Sequence, residues 1–427
     1  MLATLNYFLI RVATLPFRFL PYSAIRAIGN FIGIIAYHTM RSYRKRTLSN
    51  LSLAKDLALT RPQLLAVAKQ SFQNLAINCL EYPKLAAEKN FHKVFECENP
   101  ETAEAIYAQG KGAIFFCGHL SNWEVLFLDA TLRMNGIAIG KPIKNRHLYD
   151  WILSIREKNG GRIVAPQNAI KEGLRALKKG QFIGIVGDQG MPSSGYCTPF
   201  LGRKAWTSTS PALLAYRTQC PVLFAGIHRT ATGYKIRYSD PIWPNSDAPM
   251  DEEVNRIMGT LLSTLQDYIK ERPGEWLWQH NRWKQQTPRN IYKRYRHDSL
   301  AVILPQDPDQ FNALLPHLPT LKLIYPLDHL VLLVPETYRD IPLIENDETI
   351  YYANLSETLR DDLRFKLVFN FTDYAPIRRH YEKLAAFEVL DLLRLRALAA
   401  PYLPTNLSET LKRALCRPGS IWSPHAS

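Results

Sequence analysis

The sequence predicts an α/β protein. A central, mostly parallel sheet is flanked by helices, with a membrane-associated N-terminal helix before it and a small C-terminal α/β module after it. Three observations carry this expectation. Short apolar runs recur at Ala113–Cys117, Ile137–Gly140, Phe182–Val186 and Val222–Ile227, as buried strands do. Helical patterns lie between or beside them, at Glu124–Arg133, Tyr149–Lys158, Ala169–Lys179 and Ser210–Arg217, and such alternation marks a parallel sheet. The first forty residues are rich in Leu, Ile, Phe and Tyr but broken by Arg11, Arg18 and Arg26.

In that N-terminal stretch the longest uncharged run, Ala27 to Met40, is shorter than the roughly 20 residues that span hydrocarbon. Arg41-Ser-Tyr-Arg44-Lys45-Arg46 follows directly. An apolar segment with arginines and a basic cluster fits a helix lying on an anionic membrane surface, and equally an amphipathic helix that caps a domain. The cluster argues for a cytoplasmic position of the chain that follows. No small-residue cleavage site follows an apolar core, so a removable signal peptide is not expected. Arg61-Pro62 opens a helical stretch to Cys79 whose apolar face serves packing. The expected divisions are 1–46 for the membrane segment, 47–288 for the main domain and 297–427 for the module.

With 427 residues, 46% of them apolar, the chain can build two or three cores. The net charge of +15 suits an anionic partner: nucleic acid, an acidic membrane surface, or a phosphorylated or acidic protein. Six cysteines without a CxxC pair make neither a disulfide framework nor a zinc-ligand pattern, and fit a reducing compartment. GxGxxG after a strand, Walker A, GxSxG and HExxH are all missing from the sequence.

In parallel sheets, function gathers in the loops beyond the strand C-termini. One such loop is Gly118-His119-Leu-Ser-Asn-Trp-Glu124. A histidine with a carboxylate five residues on can be a base and its orienting partner, but Ser121-x-x-Glu124 is also a capping box. Cys117 lies two residues before His119, which makes an acyl-cysteine conceivable, although a small apolar cysteine in a strand is usually core. The second loop runs Gly187-Asp188-Gln189-Gly190 and on to Arg203-Lys204. Its cations suit a phosphate or bulk solvent, and Asp188 suits a ligand or a turn cap. Between the two loops lies Lys141-Pro-Ile-Lys144-Asn145-Arg146. Arg156, near a helix end, can meet an anionic headgroup or an oxyanion, or complement the helix's negative end. Met250 to Glu271 is the clearest amphipathic helix. Beyond it, Trp276-Leu-Trp278-Gln-His280-Asn-Arg282-Trp283-Lys284 alternates aromatics with cations, a pattern for nucleobase stacking or for an edge anchored at a membrane interface.

Taken in order, these motifs resemble the late acyltransferases of lipid A biosynthesis, the lauroyl/myristoyl type, over roughly residues 1 to 290. The matching pieces are the apolar N-terminus running into Thr47-Leu-Ser-Asn50-Leu51, the H-x4-D/E motif of His119 and Glu124, Lys141-Pro-Ile-Lys144-Asn145, Asp188-Gln189 with Phe200-Leu-Gly202, and the Trp-rich segment. The resemblance implies a glycerolipid-acyltransferase-like fold and an enzyme on the cytoplasmic face of a bacterial inner membrane. Such an enzyme transfers a fatty acyl chain from an acyl carrier protein thioester to a hydroxyl on an acyl chain of a lipid A precursor. It implies His119 as general base oriented by Glu124. It also implies Lys144, Asn145, Asp188 and Gln189 as substrate-binding residues, to which Arg156 and Arg203 are added as cations suited to an anionic headgroup or phosphate; no metal, cofactor or nucleic acid is expected. An acidic carrier and a phosphorylated acceptor agree with the basic chain. Alternatives are the same chemistry on another glycolipid or phospholipid, and a basic polyanion- or nucleic-acid-binding membrane protein.

Beyond the resemblance, Arg289 to Arg296 reads as a basic linker. Leu300–Leu304, Leu321–Ile324, Leu330–Val334 and Phe365–Phe369 read as strands, and Ile377–Leu398 mainly as a helix. Asn370 and Asp373, near a strand end, suit a polar ligand or a turn.

Overall fold

A computed structural model describes residues 2–417 apart from 194, 289, 403 and 405; Arg289, where the expected basic linker begins, lies outside them. The chain divides into two units. One comprises Met1–Met40, Leu57–Leu201 and Thr207–His280, the other Arg41–Asp56, Gly202–Trp206 and Asn281–Ser427.

Helices α1 (Leu2–Thr14) and α2 (Tyr22–Thr39) open the chain, α3 (Arg41–Leu53) belongs to the second unit, and α4 (Arg61–Ala87) returns to the first. At the start of α4 the Gln63 side chain reaches back to the Thr60 N–H at 2.9 Å, and Pro62 occupies the first turn, where no N–H is needed. α2 lies so close on α4 that a Cβ at Gly33 would sit 2.3 Å from the Gln73 Cα. Only glycine allows that approach. Among the described residues no helix is long and apolar enough to cross a membrane. The apolar surface of α1, α2 and the segment between them is instead open: Leu5, Phe8, Leu9, Val12, Phe19 and Phe31 are all exposed.

The first unit continues through β1 (Phe95–Cys97), α5 (Pro100–Ala108), β2 (Ala113–Cys117), α6 (Glu124–Arg133), β3 (Gly136–Ile139), α7 (Arg146–Arg156), β4 (Arg162–Val164), α8 (Ala169–Lys178) and β5 (Phe182–Val186). After β6 (Gly195–Phe200) and β7 (Arg203–Ser208) come α9 (Ser210–Thr218), β8 (Val222–Arg229), β9 (Tyr234–Tyr238) and α10 (Met250–Glu271). Seven of these strands form one sheet in the order β1-β9-β8-β2-β5-β3-β4. Only β8 and β9 run antiparallel, so the expected mostly parallel sheet is present. β2, at its centre, is buried along its whole length, which is why it reads as an uninterrupted apolar run. α10 turns Val254, Ile257, Met258, Leu261, Leu262, Leu265 and Ile269 inward, the face that its spacing predicts.

One local expectation fails at the first motif. α6 begins at Glu124 and its preceding residue offers no side-chain cap, so Ser121 and Glu124 form no capping box. Ser121 instead takes φ = +30°, which lets the turn run on before the helix starts.

The second unit has a parallel five-stranded sheet in the order β12-β11-β10-β13-β14. Its strands are β10 (Ser299–Ile303), β11 (His329–Pro335), β12 (Glu348–Tyr352), β13 (Leu367–Asn370) and β14 (Glu388–Asp391). Helices α11 (Pro308–Leu314), α12 (Pro319–Ile324), α13 (Pro376–Lys383), α14 (Leu392–Ala399) and α15 (Leu407–Leu415) accompany them. Both faces are covered. Leu300, Val302, Leu330, Leu332, Leu367 and Phe369 pack on one side, and Ala301, Ile303, Val331, Leu333 and Val368 on the other. Two expectations are corrected. Leu321–Ile324 is helical, because Pro319 starts a short helix there. Ile377–Leu398 is two helices with β14 between them, because Glu388–Asp391 pairs with β13.

Candidate active site

The register of the central strands builds the site. β2 and β5 run parallel with Cys117 opposite Val186. Each strand then continues into a glycine and a polar residue, Gly118-His119 and Gly187-Asp188. Equal steps past aligned ends place His119 beside Asp188. The His119 ring donates from Nδ1 to Asp188 Oδ1 at 2.5 Å, and the His119 backbone N–H donates to Asp188 Oδ2 at 2.8 Å. Trp276 Nε1–H adds a third bond, to Oδ2 at 2.7 Å. A Cβ at Gly118 would sit 3.1 Å from Asp188 Oδ2 and 2.7 Å from a Leu265 methyl, so glycine lets the carboxylate come close.

Asp188, expected to bind substrate, is fully buried and makes these hydrogen bonds within the protein. Burial opposes its charge. The attraction and hydrogen bond of His119, and then the charge of His280, outweigh that and hold the carboxyl well below the usual carboxylate range. The His119 imidazole is also edge-on to Trp123, with ring centroids 4.8 Å apart. Its Nε2 lies 3.4 Å from the exposed Gln189 amide.

Glu124 is not the carboxylate on the imidazole Nδ1. Opening α6, it turns toward α7 and takes Arg156 in a two-pronged ion pair, Nε to Oε2 at 2.7 Å and Nη2 to Oε1. Arg156 is therefore compensated and does not offer a free cation to substrate. Burial alone would weaken its charge, but Glu124 and then Tyr82 raise its affinity for the proton. Burial, reinforced by Glu124, pushes the Tyr82 hydroxyl up.

Behind the His119 turn stands a polar scaffold from α4. The Ser121 carbonyl accepts from Asn78 Nδ2 and, at 3.4 Å, from Asn74 Nδ2. Asn122 Nδ2 donates to Glu81 at 2.9 Å. From the other side, the Ser121 N–H donates to the Glu275 carbonyl at 2.7 Å and the Leu277 N–H to the His119 carbonyl at 3.0 Å. These bonds hold a strained turn in one geometry.

The remaining expected residues separate. Asn145 is an N-cap, accepting from the Leu148 N–H at 3.2 Å, and donates to the Ala3 carbonyl at 2.7 Å, so it ties α7 to α1. Lys144 is exposed at the C-terminal side of β3. Arg203, expected to bind substrate, belongs to the second unit, where its guanidinium donates to the Asp298 carbonyl. Trp276, Trp278 and Trp283 are fully buried, which leaves no indole face for a base to stack on or a membrane interface to receive. Cys117 is buried too. Burial, then the charges of Asp188 and Glu124, holds its thiol protonated far above the usual range. Among the described residues no group of His, Cys, Asp or Glu could hold a metal ion.

The family of bacterial lipid A biosynthesis acyltransferases matches residues 1–285. The chain belongs to this family. The chain is also 22% identical over 274 residues to the lipid A biosynthesis palmitoleoyltransferase of Escherichia coli (strain K12), across 62% of this chain and 86% of that protein. The lipid A biosynthesis acyltransferase of Shigella flexneri is similar to the same extent. The protein is thus an acyltransferase of lipid A biosynthesis. The family match ends before β10, the first strand of the second unit's sheet.

The pairing of His119 with Asp188, the indole of Trp276 and the asparagines of α4 were not read from the sequence as parts of the site. One signal was present. Cys117-Gly118-His119 and Val186-Gly187-Asp188 repeat a strand–glycine–polar pattern at two strand ends.

Proposed function

We propose that this acyltransferase moves a fatty acyl chain from an acyl carrier protein thioester to a hydroxyl on an acyl chain of a lipid A precursor, with His119 as general base and Asp188 as the carboxylate that orients it. The observation that carries this reading is the 2.5 Å bond between His119 Nδ1 and Asp188 at the aligned ends of β2 and β5. Asp188 accepts only, so the Nδ1 proton is fixed and the Nε2 lone pair is left to take the proton of the acceptor hydroxyl. The oxygen then attacks the thioester carbonyl, the tetrahedral intermediate collapses, and the thiolate leaves with the proton that the imidazolium returns. Such a base contributes typically about 10²–10⁴-fold. Asp188 balances the imidazolium charge during the step. Gln189, beside Nε2, is placed to donate to a substrate oxygen.

The acceptor is a lipid, and the open apolar faces of α1, α2 and the segment between them suit a bilayer surface. Val12 is 69% and Phe19 74% exposed, an arrangement costly in water and favourable in the acyl boundary. α1 is bound to α7 through Asn145, and the exposed cations Lys141, Lys144 and Arg146 precede or open that helix. They suit anionic headgroups, including phosphates of the acceptor. In this reading the enzyme acts at the cytoplasmic face of the inner membrane.

The test is acyl transfer from acyl carrier protein to a lipid A precursor in vesicles. His119→Ala should fold and lose at least about a hundredfold in rate. Cys117→Ala should keep near-normal turnover, because a buried protonated thiol is no nucleophile. A fully active His119→Ala enzyme defeats the base assignment, and an inactive, folded Cys117→Ala enzyme would favour the covalent route. In flotation with anionic vesicles, Phe8→Asp together with Phe19→Asp should release the protein; unchanged flotation would count against docking through these helices.

A further inference from the structure

The segment after α10 does more than pack. We infer that Trp276 is a positioning residue for the catalytic base, its indole N–H locking the Asp188 carboxylate in the one rotation that presents Oδ1 to His119. This rests on the proposed role of His119 and deepens it.

Asp188 accepts from three donors. Oδ1 takes the imidazole Nδ1–H, while Oδ2 takes both the His119 backbone N–H and the Trp276 indole N–H. The backbone bond alone leaves the carboxylate free to pivot about it. A second donor on the same oxygen, from a separate segment, removes that freedom. The indole is itself immobilised. Trp276 is fully buried, edge-on to Trp278 with centroids 4.5 Å apart and to His280 at 5.0 Å, and 5.9 Å from Phe200. Its backbone is in bridge pairing with Leu120, between the two bonds that join Glu275 and Leu277 to the histidine turn. The segment that clamps the turn carrying His119 therefore also clamps its carboxylate.

Trp276→Phe tests this, with the isosteric β-(3-benzothienyl)alanine at position 276 as a second variant that keeps the shape and removes only the N–H. The expected result is a kcat about tenfold lower with KM nearly unchanged, as for an interaction made in the transition state. Without the indole donor, Asp188 holds more of its negative charge for the ring. The acid limb of the pH–rate profile should therefore move toward higher pH. In an Asp188→Asn background the same substitution should cost little more, because the residue acts through Asp188. Two results would overturn the inference: wild-type kcat and pH profile in the folded isosteric variant, or an equal loss with and without Asp188. The parallel His119→Ala enzyme separates this failure from failure of the base assignment, since only the latter leaves His119→Ala active.

Discussion

An Asp188→Asn enzyme should fold and lose roughly 10³–10⁴ of its kcat, the scale found when a base loses the carboxylate that sets its tautomer. The amide fits the same space, and its oxygen can still accept from Trp276 and the His119 backbone. If it does, the NH₂ faces Nδ1, so the ring must accept there and carry its proton on Nε2. The nitrogen that should take the hydroxyl proton is then already occupied. The measurement is steady-state transfer with KM and melting temperature alongside. A folded Asn variant with near-normal kcat would remove Asp188 from the mechanism. The variant also has a pH signature. The folded-state pKa of Asp188 is depressed, so its contribution to stability is present above the ordinary carboxylate pKa of about 4 and is lost as pH falls through the folded value. The Asn variant lacks that contribution, so its stability relative to wild type should be lowest near neutrality and should recover on acidification.

Glu124→Gln should behave differently. Arg156 keeps its charge in a mostly buried position and loses the carboxylate that takes two of its donors. Breaking a buried pair from one side costs about 3–5 kcal/mol, which lowers the melting temperature by several degrees. Activity falls as well, since Glu124 opens α6 directly after the histidine turn. The large drop in melting temperature is what separates it from Asp188→Asn. Replacing Glu124 and Arg156 together by apolar residues of similar volume should recover much of the loss. A Glu124→Gln protein that melts with wild type would show that the ion pair carries no stability.

The two variants exchange the roles that the motif suggests, and the reason is geometric. Glu124 follows His119 by five positions in the chain, but the turn between them bends at Ser121 and α6 starts late, so the glutamate faces α7. Asp188 is 69 residues away and adjacent in space, because parallel pairing sets the ends of β2 and β5 level. Arg203 illustrates the same limit. A cation in a glycine-containing loop suits a phosphate, but its guanidinium lies within the second unit, where Nη2 donates to the Asp298 carbonyl.

By itself the sequence determined what depends on near neighbours. Apolar runs of five residues bounded by glycine placed β2 and β5, and a 3.6-residue period over 22 residues placed α10. The ordered motifs were enough to indicate the family and to single out His119. Where an apolar run was only four residues long, as at Leu321–Ile324, period could not separate strand from helix. Tertiary structure decided the rest: which carboxylate meets the histidine, which indole holds that carboxylate, and which cations are already compensated. Those choices follow from strand register and from the direction in which a turn releases its helix. Both are set by pairing between distant segments, which local periodicity does not encode.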